Sequence, residues 1–145
     1  MTRRDFHGRT DLRRAAVKRR ADARRLFEGG AEHRRGAMYM GGYAIECKLK
    51  AVAMEVCDSR TLRDLALALD VDESEVYSHG LESLISHMPF RDRFYSSTVW
   101  RDFTRHLNQW RPSWRYDASM PTTRQAESFL DAVDRIYKWL EANTI

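Results

Sequence analysis

"GGYAIECKLKAVAMEV", residues 41–56, is the stretch on which the reading of this chain turns. Its apolar positions do not alternate: Ala44 and Ile45 are adjacent, and Cys47 to Ala53 fit no period of two. Followed back to Glu32, the segment runs for 25 residues without a turn signal, far longer than a strand. The pattern predicts one long central helix from Glu32 to Val56.

That helix carries charge where an apolar run would be expected. Glu46 and Lys50 stand four residues apart with the acid on the N-terminal side, the better orientation for a helical pair, worth about 0.2 to 0.5 kcal/mol at a surface. On a buried helix the same carboxylate would cost several kcal/mol unless a cation answered it. Two cations are candidates, Lys50 along the helix and Arg115 from a loop late in the chain. Gly41 and Gly42 lack the preceding strand and trailing Lys-Ser/Thr of a phosphate-binding loop. Each costs about 1 kcal/mol relative to Ala inside a helix, so close packing against a neighbour is their expected role.

Working outward, Asp11 is a candidate N-cap for a first, strongly basic helix, "LRRAAVKRRADARRLF", which Gly29 and Gly30 end. Residues 1–10 read as a flexible basic tail. Beyond the central helix, a short helix is expected over Thr61–Leu69, then an acidic linker over Asp70–Glu75. Ser78 is a candidate cap for "HGLESLISHM", which stops before Pro89. Phe94, Val99, Phe103, Leu107 and Trp110 recur at helical spacing and predict one helix across 91–110. Arg111-Pro112 breaks it, leaving "SWRYDASMP" as a loop. Thr122 and Gln125 have capping-box spacing, and Ala126, Phe129, Leu130, Val133, Ile136, Tyr137 and Leu140 form the stripe of a last amphipathic helix. The fold class expected is all-α: a single domain over 11–145, built as an antiparallel up-and-down bundle of four to six helices.

The 145 residues suit one domain. The net charge of +4 is unevenly placed, because residues 1–35 hold 12 Arg and Lys against 5 Asp and Glu while the remainder is net acidic. A basic end can meet nucleic-acid phosphates, an acidic partner or an anionic membrane surface, and charge alone does not choose among them. Cys47 and Cys57, ten residues apart on one helix, lie about 15 Å apart and cannot pair within the chain. No apolar run approaches the roughly 18 residues of a membrane span, and no signal-peptide core follows the arginines, so a cytoplasmic protein is expected.

Four stretches in order resemble the HEPN domain: "YMGGYAIECKLKA" (39–51), "SHGLESLI" (78–85), "WRYD" (114–117) and "AESFLDAVDRIYKWL" (126–140). The resemblance covers roughly residues 20–142. It implies a helical bundle, commonly a homodimer, in a family that includes RNA-cleaving toxins, partners of minimal nucleotidyltransferases in toxin–antitoxin pairs, phage-defence components and catalytically silent RNA-binding or scaffolding modules. The function expected from it is a dimeric RNA-binding or regulatory module acting with a nucleotidyltransferase-type antitoxin or another protein partner.

Active HEPN ribonucleases share an Arg followed, after four to six residues, by a His. Arg can stabilise charge at phosphorus and His can move the proton of the 2′-hydroxyl or leaving oxygen without a metal. "RDFTRH" fits, giving Arg101 and His106 as catalytic candidates, with Glu46, Lys50, Arg115 and Tyr116 as supporting residues. Five residues of helix turn the pair about 140° apart, and the family's motif usually opens the helix after the late loop, where Arg115 and Tyr116 stand without a following His. A ribonuclease is therefore the alternative, and a scaffold with no nucleic-acid role a further one. RNA contacts are expected at Arg13, Arg19, Arg20 and Arg24, whose binding would weaken with salt. Asp102 and His106 lack a third ligand, so no metal or cofactor is expected. His79 reads as a capping or packing residue. Trp100, Trp110, Trp114 and Tyr116 read as core or a dimer seam before base-stacking groups.

Overall fold

The computed structural model describes residues 8–143. Among the described residues eight α-helices are formed: α1 (Arg9–Glu28), α2 (Arg34–Val56), α3 (Leu62–Leu69), α4 (Glu73–Tyr77), α5 (Leu81–Ser86), α6 (Arg91–Tyr95), α7 (Val99–Arg105) and α8 (Thr123–Asn143). Short 3-10 turns occupy Ala31–His33, Leu107–Gln109 and Pro112–Tyr116. Among the described residues there is no strand, only an isolated bridge between Gly8 and Thr61. Of the expected basic tail, residues 1–7 lie outside the described residues, and Arg9 and Thr10 already belong to α1, which Gly8 rather than Asp11 caps.

Side-chain pairings give the helix directions. Arg13 meets Glu55 and Leu26 lies against Gly36, so α1 and α2 are antiparallel. Gly30, at φ +107°, turns the chain between them in a conformation open to glycine. Alanines seven residues apart, Ala16 and Ala23 on α1 and Ala37, Ala44 and Ala51 on α2, are all buried and let the helices approach closely. Arg24 pairs with Asp131 and Arg20 with Asp134, so α8 also opposes α1. Gly41 faces Leu130 and the Lys48 ammonium lies 4.9 Å from the Tyr137 ring centre, so α8 runs parallel to α2.

The limb that returns the chain from the end of α2 to the start of α8 is thus broken into the short helices α3 to α7. This raises the helix count above the expected four to six. The stretch 91–110 is two helices and a 3-10 turn, split at Ser96–Thr98, where the Ser97 hydroxyl donates to the Phe94 carbonyl at 2.7 Å. The expected acidic linker holds α4, and α3 stops at Asp70, whose φ of 54° is left-handed. Gly80, not Ser78, caps α5. At α8 the capping box forms reciprocally: Thr122 N–H donates to Gln125 Oε1 at 2.8 Å, and Gln125 N–H to Thr122 Oγ1 at 3.1 Å.

The α1–α8 seam gives the fold a pH dependence. Burial alone would raise the Asp134 carboxyl, but hydrogen bonds and charge from Arg24 and Arg20 outweigh it and hold Asp134 below the ordinary carboxylate value. A carboxylate lowered on folding stabilises above its unfolded value, about pH 4, and the contribution is lost as pH falls through the folded value. Asp134→Asn should cost about 1 to 2 kcal/mol in urea unfolding at pH 7, and the gap to the parent should narrow below about pH 4.

Candidate functional site

Fourteen of the 23 residues of α2 are buried, Glu46 and Lys50 among them at 4% and 6% exposure. The two pair along the helix, Lys50 Nζ to Glu46 Oε2 at 3.5 Å. The second carboxylate oxygen, Oε1, is taken by Nδ1 of His79, which stands in the connection between α4 and α5. Arg115 takes no part: its guanidinium lies over the ring of its own neighbour Tyr116, 5.0 Å from the centre, and both residues are exposed. Glu46 therefore joins α2 to the returning limb, not to the late loop.

His79 is half-exposed although its partner is buried. Its ring meets Trp110 edge-on at 6.1 Å, and the Trp110 indole N–H donates to the Tyr39 carbonyl at 3.1 Å. Tyr39 stacks on Tyr43 one turn along α2, at 6.2 Å. Burial, with nearby Cys47 and Glu46, pushes the Tyr43 hydroxyl up to about 12, and burial beside Glu46 pushes the Cys47 thiol up to about 11. Neither ionises near neutral pH, so Cys47 is a packing residue and not a nucleophile. In front of this wall opens a hollow of about 160 Å³, lined by His79, Ser83, Asn108, Trp110 and Arg111 among others. One Arg111 nitrogen, Nη1, donates to the Asn108 and Trp110 carbonyls at 2.6 and 2.8 Å, which fixes the guanidinium at the hollow's edge.

Arg101 and His106 have separate surroundings. Arg101 is exposed beside Ser97, Thr98 and Thr104 at a second hollow. His106, at the end of α7, packs edge-on against Phe129 at 6.2 Å. Burial is the main cause that lowers its imidazole below the ordinary value, with Asp102 opposing. Asp102 itself is held by a bidentate pair from Arg135 at 2.8 and 2.9 Å. No contact joins Arg101 or His106 to Glu46, His79 or Arg115.

The four α1 arginines expected at RNA are each answered within the chain. Arg13 meets Glu55 at 3.5 Å and Arg19 meets Asp22 at 3.5 Å. Arg20 binds Asp134 at 2.9 Å and lies over the Tyr137 ring, while Arg24 binds both Asp131 and Asp134. By contrast Arg101, Arg105, Arg111 and Arg115 are exposed and have no acidic partner among the described residues. Tyr116, 78% exposed, ends the same stretch. Sequence reasoning took His79 for a capping or packing residue and Arg111 only for part of a helix break. The available signal was that a buried carboxylate has two oxygens, and Lys50 serves one of them.

Among the described residues no group of three or more His, Cys, Asp or Glu side chains could hold a metal ion, and no helix is long and apolar enough to cross a membrane. Compared with known proteins, the chain matches no family model, no curated protein and no solved structure.

Proposed function

We propose that this chain is a HEPN-like RNA-binding module, dimeric and acting with a protein partner in a system of the toxin–antitoxin or phage-defence type, and that its RNA surface lies along residues 101–116 around the His79 hollow. The observation that carries the reading is the contrast in charge pairing. On α1 the residues Arg13, Arg19, Arg20 and Arg24 are answered by Glu55, Asp22, Asp134 and Asp131, which leaves Arg14 and Arg25 exposed there, whereas in the 101–116 stretch Arg105, Arg111 and Arg115 all stand exposed without acids. Unpaired guanidiniums shed only mobile counterions when they meet phosphates, and Tyr116 adds an exposed ring on which a base can stack.

The test is single-stranded RNA binding followed by fluorescence anisotropy across a salt series. Replacing Arg105, Arg111 and Arg115 together by Ala should lower the slope of log affinity against log salt by about 2, at roughly 0.7 per lost phosphate contact. Replacing Arg13 and Arg19 by Ala should change it less. Parent-like binding and slope in the triple variant would sink the proposal.

One observation favours a second reading, metal-independent cleavage. A carboxylate holding Nδ1 of His79 is the arrangement that orients an imidazole for proton transfer through Nε2. On that reading cleavage of RNA by the purified protein is lost in His79→Ala and retained in His106→Ala. The reverse pattern would return the site to Arg101 and His106.

A further inference from the structure

The Glu46 carboxylate can only accept hydrogen bonds. With Nδ1 of His79 on Glu46 Oε1, the neutral ring carries its proton on Nδ1 and presents a lone pair at Nε2. Lys50 on the other oxygen and the buried position of Glu46 on α2 hold the carboxylate in place beneath the ring. Nε2 has no partner among the described residues, and His79 lines the hollow whose edge carries Arg111. The site thus sets a hydrogen-bond acceptor near a fixed cation. Asn108 and Ser83 add neutral polar groups, and Glu82 adds a carboxylate that disfavours a ligand made of anionic oxygens alone.

A ligand that suits this pairing offers a hydroxyl donor close to a single anionic group. The 2′-hydroxyl of a ribonucleotide beside its 3′-phosphodiester is such a pair, and a deoxyribonucleotide lacks the donor. We infer that His79 is a specificity residue that accepts a hydrogen bond from a ribose 2′-hydroxyl while Arg111 holds the adjoining phosphodiester, so that the hollow distinguishes RNA from DNA. This rests on the RNA-binding proposal and names what its site reads.

The experiment compares binding of the parent, His79→Ala and Arg111→Ala to three single strands of one sequence: RNA, DNA and 2′-fluoro RNA. The fluoro strand keeps a ribose-like sugar but has no hydroxyl to donate. One neutral hydrogen bond predicts that the parent binds RNA about three- to tenfold more tightly than either other strand. His79→Ala should bind all three alike, at the parent's affinity for DNA, while Arg111→Ala weakens all three and keeps the preference. Because the strands differ in the 2′ substituent of their sugars, the parent's preference is read without any change to the protein. Equal binding of RNA and 2′-fluoro RNA by the parent, or a preference that survives His79→Ala, overturns the inference and leaves the RNA-binding proposal standing. Failure of the parent to bind any strand overturns the proposal beneath it.

Discussion

Lys50→Met is expected to destabilise the protein by about 3 to 5 kcal/mol, read as a fall in the urea midpoint with an unchanged slope. The aliphatic part of the side chain is preserved, so packing changes little. What is removed is the charge 3.5 Å from a carboxylate that α2 buries to 4% exposure. His79 remains on Oε1, but Oε2 is left without its partner. The conservative double variant separates this from a general intolerance of the site. Glu46→Gln with Lys50→Met leaves no buried charge, and buried ion pairs replaced by neutral groups often cost little, so the double variant should recover most of the loss. If Lys50→Met and the double variant were equally unstable, the pair would matter for shape and not for charge.

The three long helices were legible because each satisfies a local rule. In α8 the capping box and the apolar stripe agree, and both stand in the structure. In α2 the signal was the absence of period two over a length no strand reaches, and a helix buried on most sides carries no stripe to find. The returning limb was less legible because tertiary contacts shape it. The only punctuation in residues 91–110 is the polar run Ser96-Ser97-Thr98, a weak breaker without Gly or Pro. The break serves Phe94, fully buried, whose ring is met edge-on by Phe103 at 5.6 Å, Trp139 at 5.1 Å and Trp100 at 5.9 Å. One straight helix would hold Phe94 and Phe103 at fixed spacing and could not close that cluster around α8.

The site was half legible for a similar reason. Glu46 raised the right question, since a carboxylate inside an apolar helix needs a partner, and Lys50 was visible at helical spacing. His79 lies 33 residues away across a connection whose path no local rule gives. Arg115 shares a motif-like stretch with Tyr116 and is drawn to that neighbour instead. The charge of α1 was read correctly as a quantity but not as a surface. Apart from Asp22 on α1 itself, the acids that answer it are on α2 and α8, and only the packing of the long helices shows which of its arginines they meet.

Gly42→Ala should cost about 3 kcal/mol even though alanine favours a helix by about 1 kcal/mol over glycine. A methyl at Gly42 would fall 2.2 Å from Cδ1 of Trp110, 2.4 Å from Nε1 and 2.5 Å from Cγ. These are atoms of a rigid ring, buried to 4% exposure and tied through its N–H to the Tyr39 carbonyl at 3.1 Å. The ring must leave its place, losing that hydrogen bond and part of its burial, and the wall of the His79 hollow goes with it. Gly41→Ala is the internal control. There the methyl would come within 2.9 Å of Leu130 Cδ2, the far end of a flexible side chain, and 3.3 Å of Val133 Cγ2, so a shift of tenths of an ångström suffices and the cost should stay near 1 kcal/mol, well below that of Gly42→Ala. Trp110→Leu in the Gly42→Ala background should then be less destabilising than the two single changes combined, by about 1 kcal/mol or more, because the smaller side chain accepts the methyl. Additive losses would mean that Gly42 and Trp110 are not in contact, and the aromatic wall placed behind His79 would have to be redrawn.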